Sequence, residues 1–270
     1  MDSNSHSLLA VIALIITTLY TSNFWNFFLT LLGFAFRFLA IYALLFLARP
    51  ELEHFVARME QKSEELLAVL KNSNLSLDVK VAHLLGVKSD IKQKNVPEGA
   101  VPPLFECLRL ALASPHIALI TAGFSTLGHF LKRLFIQELH SLVSVFAKEL
   151  ISCLLDRLGD HKDRVRGLAA QALTDMWPAA APQIDRAVFE VGLTSKNARL
   201  RHSSLNLLSS VSTAGLLYPI LLSSSDFVLQ IVTQYHIGFR QYVPDAVACL
   251  EDADKDVRKA AKTVIVDLFK

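Results

Sequence analysis

The chain has 270 residues, of which 52% are hydrophobic, and it carries 27 Lys plus Arg against 25 Asp plus Glu. This composition excludes a disordered tail, a collagen-like chain and a polycation that holds nucleic acid by charge alone. Three cysteines, an odd number at spacings that match no metal site, argue against a disulfide-stapled secreted domain and favour a reducing compartment.

The first 58 residues form an apolar segment that differs from the rest of the chain. Residues 8–48 contain a single charged side chain, Arg37. That length suffices for one long signal anchor or for two short membrane spans broken near residues 21–23. Arg49 and Arg58 follow the segment and would keep the remainder in the cytosol. One prediction is therefore a membrane-anchored cytosolic domain.

Residues 59–134 predict two helical hairpins. Residues 60–70 followed by 78–92 form the first hairpin, and residues 103–113 followed by 117–134 form the second. In both hairpins the apolar residues recur at helical spacing, and we find no convincing strand pattern.

A repeated unit occurs three times in the second half of the chain. It reads LGDHKDRVRGLAAQAL from Leu158, LTSKNARLRHSSLNLL from Leu193 and LEDADKDVRKAAKTVI from Leu250. In each copy a helix ends at the leucine, a polar turn supplies an Asp or Ser oxygen that can cap the next helix, and an arginine follows. The small residue three positions after that arginine would let the neighbouring helix approach; these residues are Ala169, Ser204 and Ala261.

This pattern is that of HEAT repeats, helical hairpins that bury their apolar faces only by stacking. The sequence predicts an all-α solenoid of five hairpins over residues 59–270. The turns inside the hairpins, named turn 1 to turn 5, are residues 71–76, 114–116, 159–163, 194–198 and 251–256. Because Arg166 and Arg201 are 35 residues apart but Arg201 and Arg258 are 57 apart, we infer an apolar insert of about 21 residues at 218–238.

Four long blocks carry a family resemblance. They are SDIKQKNVPEGAVPPLFECLRLAL, AGFSTLGHFLKRLFIQ, LLDRLGDHKDRVRGLAAQALTDMWPAA and FRQYVPDAVACLEDADKDVRKAAKTVIVDLF. In this order they closely resemble the N-terminal TOG module of fungal CLASP proteins, which are microtubule stabilisers. The resemblance implies a chain that begins at Met59 and passes from Leu217 directly to Phe239. It thus attributes the apolar extension and the insert to a gene model read through non-coding sequence, and it implies further helical arrays beyond residue 270.

Nothing in the residue pattern supports catalysis, a metal site or a cofactor. The nine histidines are scattered, and no nucleophile elbow or phosphate-cradling glycine loop occurs. His161 lies beside Asp160 and Asp163, but we interpret these three as solvated polar turn residues. Cys107, Cys153 and Cys249 fall on apolar helix faces and are predicted to pack in the core.

The resemblance implies that the aligned turns of the hairpins form the tubulin-binding surface. Basic and polar side chains in and just after these turns suit an acidic partner such as tubulin. The predicted tubulin-binding residues are Lys71, Asn72, Lys162, Arg164, Lys196, Arg199 and Lys255.

Other recurring residues receive a structural interpretation. Arg166, Arg201 and Arg258 occupy one repeat position, where their stems can cover the neighbouring hairpin and their heads can pair with turn carboxylates such as Asp160 and Asp252. The aromatic residues of the second half are predicted to fill the core and helix ends; they are Phe130, Phe135, Phe146 and Trp177.

The leading hypothesis is a non-enzymatic protein that binds tubulin and microtubules and stabilises them in the mitotic spindle. It implies a location in the cytoplasm, on the cytoskeleton and at the spindle. One alternative is a helical scaffold that docks kinetochore, plus-end or adaptor proteins. Another alternative is a membrane-anchored solenoid, which requires that residues 8–48 are translated as part of the protein.

Overall fold

The computed structural model describes residues 55–221 and 243–268, together with Val11, Thr17 and Arg37; of the side chains at 212–221 and 268 nothing is described. The described part of the chain is helical and contains no strand. Its α-helices are α1 (55–71), α2 (Leu77–Gln93), α3 (Val101–Ala113), α4 (Ile117–Ile136), α5 (His140–Leu158), α6 (Asp163–Ala187), α7 (Ala198–Leu221), α8 (Val243–Ala248) and α9 (Lys255–Leu268).

Consecutive helices from Arg58 onward pair into antiparallel hairpins that stack in two layers. In one layer α3 packs on α5. In the other layer α2 packs on α4, α4 on α6, α6 on α7 and α7 on α9. The predicted all-α solenoid is confirmed.

The small residues of the repeat unit are buried. Ala169, Ser204 and Ala261 all have no exposed surface. A Cβ on Gly192 would lie 2.4 Å from the Ser204 hydroxyl oxygen, so the fourth hairpin closes at this position by pairing a glycine with a serine. The close approach predicted at these positions is confirmed at Ser204, and the burial of Ala169 and Ala261 agrees with it.

The third and fourth hairpins are joined without a loop. Helix α6 continues across the connection, and its backbone leaves helical geometry only at Ala180, between Pro178 and Pro182. A proline inside a helix lacks the N–H group and its ring clashes with the carbonyl four residues earlier, which explains the kink. A π-helical stretch, Val188–Leu193, then leads into turn 4.

The predicted aromatic residues and cysteines are buried or half-buried. Phe130 is fully buried and meets Phe105 edge-on, with ring centroids 5.2 Å apart, and Phe146 stacks on Phe105 at 5.6 Å. Phe135, Phe146 and Trp177 are half-buried. Cys107 and Cys249 are buried and Cys153 is half-buried. Burial raises the pKa of the Cys107 thiol to about 12, so this thiol stays protonated and unreactive at neutral pH.

Two features of the sequence lie outside the described residues. Of the apolar segment at residues 8–48, only Val11, Thr17 and Arg37 are described, and of the insert at 218–238 only residues 218–221, which end α7. No helix in the described ranges is both long and apolar enough to cross a bilayer. The first helix of the fifth hairpin is described from Val243, as α8 followed by a short 3-10 turn, Cys249–Glu251.

Candidate functional site

All five hairpin turns are closed by the same local device. Near the start of each turn, a side-chain oxygen accepts a hydrogen bond from the backbone N–H two residues later, the geometry that makes Asn, Asp and Ser favourable in turns. The accepting residues are Asn72 (2.9 Å), Ser114 (3.2 Å), Asp160 (2.9 Å), Ser195 (3.1 Å) and Asp252 (2.8 Å).

The capping predicted for a turn Asp or Ser is observed in turn 5, where Asp254 accepts from the N–H of Val257 at the start of α9. Ser76 in turn 1 likewise accepts from the N–H of Val79 at the start of α2. Helix α6 begins without a side-chain cap. The oxygens of Asp160, Ser195 and Asp252 close their own turns instead, because a short side chain near the start of a turn bonds the nearest free N–H before the helix begins.

Hydrogen bonds between hairpins join turns 2 to 5 into one row. Arg157 donates to the carbonyl of Ser114 in turn 2 at 2.7 Å and to the carboxylate of Asp160 in turn 3 at 3.4 Å. Asn197 in turn 4 donates to the carbonyl of Gly159 in turn 3 at 2.9 Å. These bonds fix the spacing of the turns along one edge of the solenoid, which we call the turn edge.

Arg201 makes the last connection of this row. Its guanidinium donates twice to the carboxylate of Asp252 in turn 5, at 2.6 and 2.7 Å, and once to the carbonyl of Ser195 in turn 4, at 2.7 Å. The side chains of Arg201 and Asp252 are only 16% and 9% exposed. A paired guanidinium and carboxylate in this setting are strongly held, since two parallel charge-assisted bonds act in a partly dry site.

The three recurring arginines fold back over their own turns. Each donates to the carbonyl six residues earlier, namely Arg166 to Asp160 (2.8 Å), Arg201 to Ser195 (2.7 Å) and Arg258 to Asp252 (2.6 Å). The structural interpretation of these residues is confirmed, with one correction. Arg166 pairs with the carboxylate of Asp163, whereas the carboxylate of Asp160 belongs to Arg157.

The turn carboxylates are held in their charged form. The bonds from Arg201 lower the pKa of Asp252 below its usual range, although burial opposes the shift. Burial likewise raises the pKa of Asp160, but the backbone N–H of Lys162 and the positive charges of His161 and Arg157 together bring it below its ordinary value. Both carboxylates therefore act as structural anions that tie the turns together.

The predicted tubulin-binding residues are all solvent-exposed; they are Lys71, Asn72, Lys162, Arg164, Lys196, Arg199 and Lys255. None of the six cations among them pairs with a carboxylate of the described residues. The five cations in and just after turns 3 to 5 lie on the hydrogen-bonded row. Lys71 and Asn72 are in turn 1, which no hydrogen bond within the described part of the chain joins to turn 2, and Lys71 is close enough to Glu106 of α3 to help lower its pKa.

Sequence reasoning missed two residues that build the turn edge, Arg157 and Asn197. Arg157 also donates to the carbonyl of Leu112 at 2.6 Å, so it satisfies the C-terminal end of α3 in the preceding hairpin. Asn197 bonds across to the neighbouring turn through its amide. The sequence offered only one indication of these roles. Arg157 is three residues before Asp160 and Asn197 is two residues after Ser195, the residues whose side-chain oxygens close turns 3 and 4.

His161 does not form a catalytic group with its neighbours. Its ring lies 3.1 Å from the carboxylate of Asp160, but the side chain is 71% exposed, as expected for a solvated turn residue. Within residues 55–221 and 243–268, no cluster of three His, Cys, Asp or Glu side chains could hold a metal ion.

Replacing Gly159 with alanine tests the row directly. A Cβ at this position would lie 2.8 Å from the Asn197 amide nitrogen and 3.2 Å from the Cβ of Leu200, so the amide must give up its bond to the Gly159 carbonyl and α7 must shift slightly. We expect the free energy of unfolding in urea to fall by about 1–2 kcal/mol. Gly167→Ala is the control, since nothing lies within 4 Å of a Cβ there and alanine favours a helix by about 0.5–1 kcal/mol. Equal effects of the two substitutions would contradict the close approach.

Comparison with known proteins decides the family. The family model described as CLASP N terminal matches residues 59–270. The chain belongs to the CLASP N-terminal family. It is 54% identical over 213 residues to protein stu1 of Aspergillus fumigatus, and 44% identical over 211 residues to protein STU1 of Coccidioides immitis. Each match covers 78% of this chain but only 16% and 15% of the relative, so this chain spans less than a fifth of the length of the curated relatives that it matches.

Solved structures show that this CLASP N-terminal chain has the TOG fold. The N-terminal domain of MAST/Orbit matches with a TM-score of 0.58 at 20% identity, over 76% of this chain and 82% of that one. A TOG structure described by the statement that TOG–tubulin binding specificity promotes microtubule dynamics and mitotic spindle formation matches with a TM-score of 0.57 at 21% identity. That match covers 76% of this chain and 71% of the other.

Proposed function

We propose that residues 59–270 bind the tubulin heterodimer through the turn edge and that the whole protein thereby stabilises microtubules in the mitotic spindle. The residues that make the contact are Lys71, Asn72, Lys162, Arg164, Lys196, Arg199 and Lys255. The observation that carries the proposal is a row of turns whose spacing is fixed by the half-buried arginines Arg157 and Arg201 and by Asn197. The exposed cations of this row have no carboxylate partner among the described residues.

The turn edge separates two classes of basic residue. Four arginines donate hydrogen bonds to carbonyl or carboxylate oxygens of the turns; they are Arg157, Arg166, Arg201 and Arg258. The exposed cations listed above form no ion pair with a carboxylate of the described residues. Their positive charge is therefore available to an external partner. Because hydrogen bonds already fix the backbone of turns 2 to 5, binding has to order only the exposed side chains of that row, which favours affinity for a rigid acidic surface.

Family membership supports tubulin as that partner. The matched family is CLASP, the relatives are stu1 proteins, and one TOG neighbour carries a description that names tubulin binding, microtubule dynamics and spindle formation. The proposed location is accordingly the cytoplasm, on the cytoskeleton and at the spindle. The proposed role is binding without an enzymatic step.

The mechanism follows from differential affinity. A module that binds tubulin more tightly in one conformation shifts the polymer end toward that conformation, and the shift cannot exceed the difference in binding free energy. Complementary charge on the turn edge also speeds association, and this contribution weakens as salt is added.

Reversing three charges of the turn edge tests the proposal. In the full chain, Lys162→Glu, Arg164→Glu and Lys196→Glu together should weaken heterodimer binding by about 100-fold, because each reversal replaces an attraction with a repulsion. Titration of fluorescently labelled tubulin with the protein measures the affinity. The helix content of the variant should match that of the unmodified chain, since none of the three side chains has a carboxylate partner among the described residues.

The matched control is Lys94→Glu, Lys132→Glu and Lys148→Glu, which changes the net charge equally at exposed positions outside the turns. This variant should bind tubulin within about threefold of the unmodified chain. Retained binding in the turn-edge variant would reject the turn edge as the tubulin site. It would favour the alternative of a helical scaffold that docks kinetochore or adaptor proteins.

A further inference from the structure

A second cluster of basic residues, three lysines around one histidine, lies away from the turn edge, on the surface formed by α2 and α4. It consists of Lys88 and Lys92 on α2 and of His129 and Lys132 on α4, and we call it the α2/α4 cluster. Within each helix the residues are three or four positions apart and so share one face. The two helices pack against each other, which brings the two pairs together.

The charges of the cluster converge on the imidazole of His129. Burial lowers the pKa of His129, and the nearby ammonium groups of Lys92, Lys88 and Lys132 lower it further. Lys92 and Lys132 are solvent-exposed, whereas Lys88 and His129 are half-buried. The cluster is thus an open cationic surface with a partly sheltered centre.

Carboxylates of the described residues do not neutralise the cluster. None of Lys88, Lys92 and Lys132 forms an ion pair with any of them. Asp90, the acidic residue between Lys88 and Lys92 in sequence, bonds Lys62 of α1 at 2.5 Å. The positive charge of the three lysines is therefore available to an external anion.

The backbone beneath the cluster is held in place by long-range hydrogen bonds. Arg133 donates to the carbonyls of Ile91 and Lys92, at 3.0 and 2.7 Å, and so satisfies the C-terminal end of α2. Gln137 donates to the carbonyl of Val96 at 2.9 Å and accepts from its N–H at 2.8 Å. The positions of the two helices, and hence of the cations, are therefore fixed before any partner binds.

The cluster is distinct from the turn edge. Helices α2 and α4 both begin at the hairpin turns, and the four residues lie 11 to 15 positions beyond the first residue of their helices. At 1.5 Å per residue this places them roughly 17–22 Å from the turns along the helix axes. A protein bound at the turn edge would leave this surface open.

The chemistry of the cluster indicates several carboxylates as its ligand. The guanidinium group in this region belongs to Arg133, and it already donates hydrogen bonds to two backbone carbonyls. These bonds occupy the pair of N–H groups with which an arginine binds a phosphate group in a bidentate manner. The remaining lysines are separate point charges spread over two helices. We propose that the α2/α4 cluster binds an acidic, glutamate- or aspartate-rich segment of a protein partner.

Binding of a fluorescein-labelled glutamate-rich peptide to the full chain tests this proposal. Fluorescence anisotropy should show saturable, salt-sensitive binding. Lys88→Gln, Lys92→Gln and Lys132→Gln together should weaken it by about tenfold. The matched control is Lys148→Gln, Lys259→Gln and Lys262→Gln, which removes the same charge elsewhere and should change the affinity by less than about twofold. Far-ultraviolet circular dichroism of all three proteins checks that they are folded.

Three outcomes would overturn the proposal. The first is equal weakening by the cluster variant and its control, which would mean that only net charge attracts the peptide. The second is clearly tighter binding of a phosphoserine peptide of the same net charge, which would make this a phosphate site. The third is loss of tubulin binding in the cluster variant, which would make the cluster part of the turn-edge interface. Because failure of the turn-edge charge reversal leaves this peptide titration unaffected, the two proposals fail independently.

Discussion

Replacing Arg201 with leucine should lower the free energy of unfolding by about 3 kcal/mol. The substitution removes the two bonds to Asp252 and the bond to the carbonyl of Ser195, and it leaves a carboxylate that is 9% exposed without its counter-charge. The fifth hairpin then loses its main polar connection to the fourth. Urea denaturation of the full chain measures the loss.

A double substitution separates the ion pair from simple packing. Adding Asp252→Asn to Arg201→Leu should recover part of the stability, because the stranded charge is removed while the turn keeps its amide oxygen for the N–H of Asp254. Strictly additive losses would contradict a direct interaction between the two side chains.

The same pair predicts a pH dependence with a definite sign. The pKa of Asp252 is lowered in the folded protein, so its contribution to stability is fully present above the unfolded-state value of about 4 and is lost as the pH falls through the folded-state pKa. In the Arg201→Leu variant the carboxylate has no such stabilisation. The stability difference between the two proteins should therefore shrink below about pH 4, and a constant difference down to pH 2 would contradict this account.

Phe130→Ala should also cost about 3–5 kcal/mol of folding free energy, because it leaves a cavity in the centre of the second hairpin. The ring of Phe130 is fully buried and its edge-on contact with Phe105, at 5.2 Å between centroids, links α4 to α3. Phe105 in turn stacks on Phe146 of α5 at 5.6 Å. A cavity here weakens the interface between two hairpins, on which the stability of a repeat array depends.

Val145→Ala is the matched control for this cavity. Val145 lies on α5 next to Phe146 but is 68% exposed, so truncation should change stability by less than about 0.5 kcal/mol. The difference between the two variants in urea midpoint separates core packing from a general effect of shortening a side chain. A loss below about 1 kcal/mol for Phe130→Ala would contradict a closed aromatic core.

The sequence predicted the repeat positions with good accuracy, because each repeat must solve the same packing problem. A small residue is required wherever two helices approach, and this requirement is visible at Ala169, Ser204 and Ala261. The structural role of the three recurring arginines was also visible in the repeat, although their bonds to the carbonyls of their own turns were not predicted. The continuous helix through Ala180 was not predicted, because a proline indicates a break or a kink equally well.

The sequence predicted the exposed residues of the candidate site but not the hydrogen bonds that arrange its turns. Exposed cations can be assigned from their place in each turn, and all seven predicted residues lie at the surface. The bonds that arrange the turns into a row join residues 38 to 51 positions apart, such as Asn197 to Gly159 and Arg201 to Asp252. No local pattern specifies such partners. The α2/α4 cluster was hidden for the same reason, because Lys92 and His129 meet only when the second hairpin stacks on the first.

By itself, then, the sequence determined the helical repeat, the buried faces and the residues of each turn, because these depend on helical periodicity and on side chains bonding within a few residues of themselves. Only the tertiary structure decided which turns lie side by side and which cations remain free of carboxylate partners within the described ranges. Those outcomes depend on the distances between hairpins, which are set by the packing of the whole stack.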